Sequence, residues 1–204
     1  MNVYSIKFRL WHWLNALVIS ALIITVWLRE SFLSYKTNAP LLLSKLSEMG
    51  VTITQEQSVT LAKALRADLW QFHIYLGYAL IALILFRVYL IFKDNSEKVG
   101  FMKKSFHKKV VSLSYLLFFV VLFAISASGI ALTFHETFGI DEEKLHDIKE
   151  AHEAFYIFIM AFVGLHLVGL IAAENRGENG IISTMFHGKV KDKEESVKEE
   201  EKVN

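Results

Sequence analysis

Four long apolar stretches, 10–28, 70–92, 110–134 and 154–173, dominate this chain of 204 residues. Each approaches or exceeds the ~20 residues a helix needs to cross the hydrocarbon core of a bilayer. A lipid-facing strand would leave its backbone amides and carbonyls without partners, whereas a helix satisfies them internally. Four transmembrane helices are therefore expected, and an all-α fold. A soluble domain of this size seldom gathers 53% hydrophobic residues into such blocks. The first stretch reads as a span rather than a cleaved leader. It is too long for a leader's apolar region, carries His12 and Asn15, and lacks a small-residue cleavage site after 27–30.

Charge placement sets an orientation. The connection after the second stretch carries Lys93, Lys98, Lys103, Lys104, Lys108 and Lys109 against Asp94 and Glu97. The connection after the third is reversed, with Glu136, Asp141, Glu142, Glu143, Asp147 and Glu150 against Lys144 and Lys149. The positive-inside rule then places the second connection and both termini in the cytoplasm. Trp11, Trp13, Trp27 and Trp70 all fall near span ends, where an indole suits the headgroup level. Residues 31–68 are too polar to cross. Their apolar spacing (Leu41, Leu42 and Leu46, then Val59, Ala62 and Leu65) predicts short helices over the outer face, interrupted by Pro40, the single proline. The bundle is expected over 1–188, followed by a charged cytoplasmic tail, 189–204, that lacks apolar periodicity.

A net charge of +1 offers no basic surface for nucleic acid. The absence of cysteine excludes disulfides, iron–sulfur clusters and covalently attached c-type haem in this chain. Eight histidines remain as metal ligands. An ionisable side chain inside a span is costly and needs a reason. His12, His73, His152 and His166 lie within or at the margins of the spans. By depth they form two pairs, His12 with His166 toward the cytoplasm and His73 with His152 toward the outside. His152 and His166 are fourteen residues apart, which on a helix is ~21 Å along the axis and within ~40° of one face. Two stacked haems, one near each surface, need that arrangement, and ligation by two histidines leaves no position for oxygen, so the site moves electrons.

Gly77, one turn after His73, Gly129 in the third span, and Gly164 and Gly169 around His166 leave room for a macrocycle. Close helix packing favours glycine equally. Arg9, beside His12, suits a propionate of the inner haem, and also serves as a positive-inside anchor. His107 and His135 bracket the third span too far apart to share the core. His107 is read as interfacial, in reach of a quinone carbonyl or a propionate, and His146 and His187 receive no role.

The run Arg9-Leu10-Trp11-His12-Trp13, the stretch His73-Ile74-Tyr75-Leu76-Gly77 and the histidine spacing in the fourth span resemble the bacterial di-haem b-type cytochromes. That group takes in cytochrome b561 and the b-type subunits of nickel hydrogenase and formate dehydrogenase. The resemblance runs from about residue 7 to 173. It implies an integral membrane antiparallel four-helix bundle in the bacterial inner membrane, here with extra short helices in 31–68. It also implies two haem b, held by His12 with His166 and by His73 with His152, and quinone chemistry, either ubiquinone or menaquinone. The long 31–68 segment and the charged tail depart from the shared pattern.

The expected function is electron transfer between a quinone pool and a periplasmic-side or associated redox partner. The chain would act as a subunit of a larger respiratory enzyme or as a self-sufficient oxidoreductase. Expected partners are membrane lipid, quinone and a redox subunit docking on 31–68, and a homo-oligomer is compatible with them. The alternative is a haem-free transporter or anchor using intramembrane histidines. Against it, the spans hold no buried Asp or Glu to partner them.

Overall fold

A computed structural model of the chain describes residues 5–93, 106–176 and 181–187. The lysine-rich connection 94–105 and the charged tail 189–204 lie outside the described residues, as do the side chains of His107, Lys108, Lys109 and His187. Among the described residues there are seven helices and no strand. They are α1 (Ile6–Glu30), α2 (Tyr35–Glu48), α3 (Gln55–Ala64), α4 (Ala67–Lys93), α5 (Phe106–Thr133), α6 (Glu142–Asn175) and α7 (Ile181–His187). Four of them, α1, α4, α5 and α6, are long and apolar enough to cross a membrane, so the chain is an all-α membrane helical bundle. Their outward apolar side chains, such as Leu165 at 72% exposure and Phe123 at 66%, are tolerable only against lipid. The chain divides by its contacts into two units, Met1–Asn15 with Leu83–Asn204, and Ala16–Ala82.

In the second unit α2 and α3 form a packed helical hairpin. Their facing positions are small and buried: Ala39 on α2, Ser58 and Ala62 on α3. Pro40 was expected to interrupt this region, but it sits inside α2. It removes one amide donor in the second turn, and the close packing around the adjacent Ala39 holds the helix through that loss. Gly50 takes a left-handed φ of +78° just past α2, a conformation open to glycine, and lets the Val51 amide donate back to the Leu46 carbonyl at 2.9 Å. α3 then starts on a capping box, in which Thr54 accepts from the Gln57 amide while the Gln57 side chain accepts from the Thr54 amide.

In the first unit α5 packs along α6. Its buried residues include Phe118, Val121, Leu122 and Ile159, and the Phe118 and Phe162 rings stack at 4.1 Å. Trp11, near the start of α1, is enclosed by protein. It is 4% exposed, and its indole N–H donates to the Leu83 carbonyl at 2.8 Å, a partner that makes burying the ring affordable. Trp13, Trp27 and Trp70 do keep exposed rings.

The acidic connection before the fourth span is mostly helix. α6 begins at Glu142, so Glu142–Glu150 form its first turns, and His146 lies on an exposed helix face 3.1 Å from Glu150. The cause is local. Asp141 caps the helix by accepting from the Lys144 amide, Glu142 and Glu143 face the positive end of the helix dipole, and Lys149 pairs with Glu153 one turn on.

The Lys144 side chain, followed by its backbone amide, holds the exposed Asp141 carboxyl below the usual carboxylate range. Because the folded value is depressed, the cap is complete above the unfolded carboxylate range, about pH 4, and is lost as pH falls through the lower folded value. Amide exchange over 142–146 is expected to quicken there relative to the rest of α6. Asp141→Asn, which caps without titrating, is expected to abolish that pH dependence.

Candidate functional site

The histidines are held by several helices. His12 of α1 and His166 of α6 come together in the first unit, their ring centroids 6.4 Å apart and their planes at 62°. Phe8 lies 6.5 Å from His12 on the same helix. Phe162 stacks parallel to His166 at 6.2 Å, and the Tyr115 hydroxyl reaches His166 Nδ1 at 3.4 Å. Asn15, one turn after His12, is 6% exposed, and its side-chain oxygen has no hydrogen-bond partner among the described residues.

Two arginines contact residues close to His12 in sequence or space. Arg9 donates from Nη1 to the Phe186 carbonyl at 2.8 Å, while its buried Nε has no hydrogen-bond partner among the described residues. Trp13 donates to the Met185 carbonyl at 3.3 Å and packs on Phe186 at 4.4 Å. Arg9 and Trp13 therefore clip α7 onto the start of α1. Arg87 of α4 lies over the rings of Phe8 at 4.7 Å and Trp11 at 5.2 Å. The sequence reading passed over Arg87, yet the signal was available: it is the sole Asp, Glu, Lys or Arg inside the four apolar stretches. The short α7 was also missed, although apolar residues recur between Gly180 and Gly188.

His73 and His152 belong to different units, and each has defined surroundings. In the second unit His73 Nδ1 lies 2.7 Å from the Thr25 hydroxyl. The Trp70 ring stacks on His73 at 5.0 Å, nearly parallel, and the Arg29 guanidinium lies over the Trp70 ring at 4.5 Å. In the first unit His152 Nδ1 lies 2.9 Å from the Ser128 hydroxyl. A methyl at Gly129 would come within 3.3 Å of the His152 ring, whereas at Gly77, Gly164 and Gly169 it would meet no atom within 4 Å. Gly129 therefore serves a close approach of α5 to the histidine. His135 lies just past α5, its ring nitrogen 3.0 Å from the Leu132 carbonyl.

A further basic feature was not foreseen. Arg29, Lys63, Arg66 and Trp70 line a cavity of about 230 Å³ in the second unit. Lys63 and Arg66 lie over the Tyr35 ring at 5.5 and 4.9 Å. Such a cavity suits a carboxylate or phosphate.

The sequence matches the family described as prokaryotic cytochrome b561 over residues 3–188. The chain belongs to that family. It is accordingly a multi-pass membrane cytochrome that binds b-type haem and serves electron transfer, which leaves no place for the haem-free transporter or anchor. No curated protein and no solved structure matches the chain.

The residues of this cytochrome fit such a group. Two imidazoles bound to one iron through bonds of about 2 Å, each ring centre about 1.1 Å beyond its nitrogen, have centroids about 6.3 Å apart. The His12–His166 separation of 6.4 Å agrees with that. Among the described residues no three His, Cys, Asp or Glu side chains gather as a metal-binding group.

Arg9→Leu is expected to release α7. Losing the bond to Phe186 costs about 1 kcal/mol, read as a roughly five-fold rise in amide exchange over 181–187.

Proposed function

We propose that this cytochrome holds two haem b, one between His12 and His166 and one between His73 and His152, and carries electrons between a quinone pool and a redox partner. The observation that carries the reading is the His12–His166 separation. For the second pair the support is the matched depth of the two histidines in the sequence, together with the hydroxyl partner each one has. Bound haem supplies a one-electron relay.

The chain's own residues bind and orient it. The four histidines would hold the two haems, and ligation by two histidines each would leave no open position for oxygen. Arg9, with its buried Nε, and Arg87, on the same cluster of rings, are the groups assigned to the inner propionates. Ubiquinone or menaquinone is the substrate. The segment 31–68, with its cationic cavity, is the docking face for an anionic group of a periplasmic-side or membrane redox subunit. The charge bias of the connections supports insertion in the bacterial inner membrane with both termini cytoplasmic.

A dithionite-reduced minus oxidised spectrum, with a pyridine haemochrome count, is expected to give two low-spin b haems per chain. His12→Ala and His166→Ala should each lose the same haem, and His73→Ala and His152→Ala the other. One haem per chain, or losses that do not sort into these pairs, would overturn the assignment. Gly129→Ala is expected to push the His152 ring by a few tenths of an ångström and lower occupancy of one haem, leaving the helical circular dichroism intact.

A further inference from the structure

Thr25 and Ser128 share an arrangement that their neighbours lack. Thr25 Oγ1 lies 2.6 Å from the Leu22 carbonyl and 2.7 Å from His73 Nδ1. Ser128 Oγ lies 3.0 Å from the Ile125 carbonyl and 2.9 Å from His152 Nδ1, and the Ile125 backbone also hydrogen-bonds the His152 ring. A hydroxyl has one proton and a carbonyl has none, so the hydroxyl must donate to the carbonyl. Its oxygen then offers the ring only lone pairs. The proton shared with the ring must therefore sit on the histidine, at Nδ1. A neutral imidazole has a single N–H, so in both residues the ring lone pair is on Nε2.

Serine and threonine in membrane helices habitually bond back to a carbonyl one turn earlier, which needs no histidine. In α5 itself Ser126 and Thr133 do this, to Leu122 and Gly129, with no histidine partner among the described residues. Ser128 adds the ring. The same device recurs in the other unit from a different helix pair, α1 to α4. At His166 the hydroxyl approach is longer, from Tyr115 at 3.4 Å.

Resting on the reading of His73 and His152 as haem ligands, we propose that Thr25 and Ser128 are positioning residues: they hold the two imidazoles with Nδ1 protonated and Nε2 presented to iron. Accepting the Nδ1 proton also makes each ring a stronger donor, which favours ferric over ferrous iron and lowers the potential of the haem it serves.

The test is a spectroelectrochemical titration of the purified holoprotein, with electron paramagnetic resonance of the ferric haems, for Thr25→Val, Ser128→Ala, Thr25→Ser and Ser128→Thr. Thr25→Val and Ser128→Ala are each expected to shift the same one of the two potentials to a more positive value and to alter its resonance. The other haem should not move. Thr25→Ser and Ser128→Thr, which keep the hydroxyl, should restore the unaltered values. Full haem content with both potentials and resonances unchanged in Thr25→Val and Ser128→Ala would overturn the proposal, leaving the hydroxyls as back-bonding groups only. Should Thr25→Val not accumulate as folded protein, Ser128→Ala with Ser128→Thr decides by the same readings. Failure of the underlying reading shows separately: His73→Ala and His152→Ala would then retain both haems.

Discussion

A bilayer core has no water with which to repair a stranded polar group, and the arrangement of this cytochrome follows from that. Backbone groups meet the constraint by being helical. Side chains meet it one at a time. The Trp11 indole finds the Leu83 carbonyl, Ser126 and Thr133 bond back within their own helix, and the Arg87 guanidinium lies on two aromatic faces. His73 and His152 meet it through the Thr25 and Ser128 hydroxyls, and His166 through the longer approach of Tyr115. A polar side chain kept in this solvent has either a satisfying partner or a chemical task, and a histidine has two nitrogens with which to have both.

Where the sequence could be read, the reason was periodicity and cost. The four spans stand out because hydrophobic length is a one-dimensional property. The histidines stand out because their placement is expensive. Arg87 obeys the same logic: a charge inside an apolar stretch is as costly as a histidine there. Trp11 and Pro40 could not be placed from composition. Whether an indole is exposed or enclosed by protein depends on a carbonyl contributed by another helix, and whether a proline breaks a helix depends on how tightly its neighbours pack.

The start of α6 was a different failure. Asp141, Glu142 and Glu143, with later pairs such as Lys149 and Glu153, are a strong helix-initiating pattern, but their charge drew them into a reading of topology as a loop. Charge decides which side of a membrane a segment occupies without deciding its conformation. The hydroxyls beside His73 and His152 were invisible for another reason. Thr25 is 48 residues from His73 and Ser128 is 24 from His152, and no local pattern signals such a meeting.

The length of α6 has a mechanical consequence. At 34 residues it extends about 51 Å at a rise of roughly 1.5 Å per residue, well beyond a hydrocarbon core of about 30 Å. One unbroken rod therefore carries both His152 and His166. If both are ligands, tilting or sliding the rod displaces them together and leaves their separation alone. Electron tunnelling weakens steeply with distance, so breathing of the surrounding helices would scarcely modulate transfer between the two centres. On that proposal the tolerance would lie in the partners His12 and His73, which could follow thermal motion without detuning the gap between the two centres.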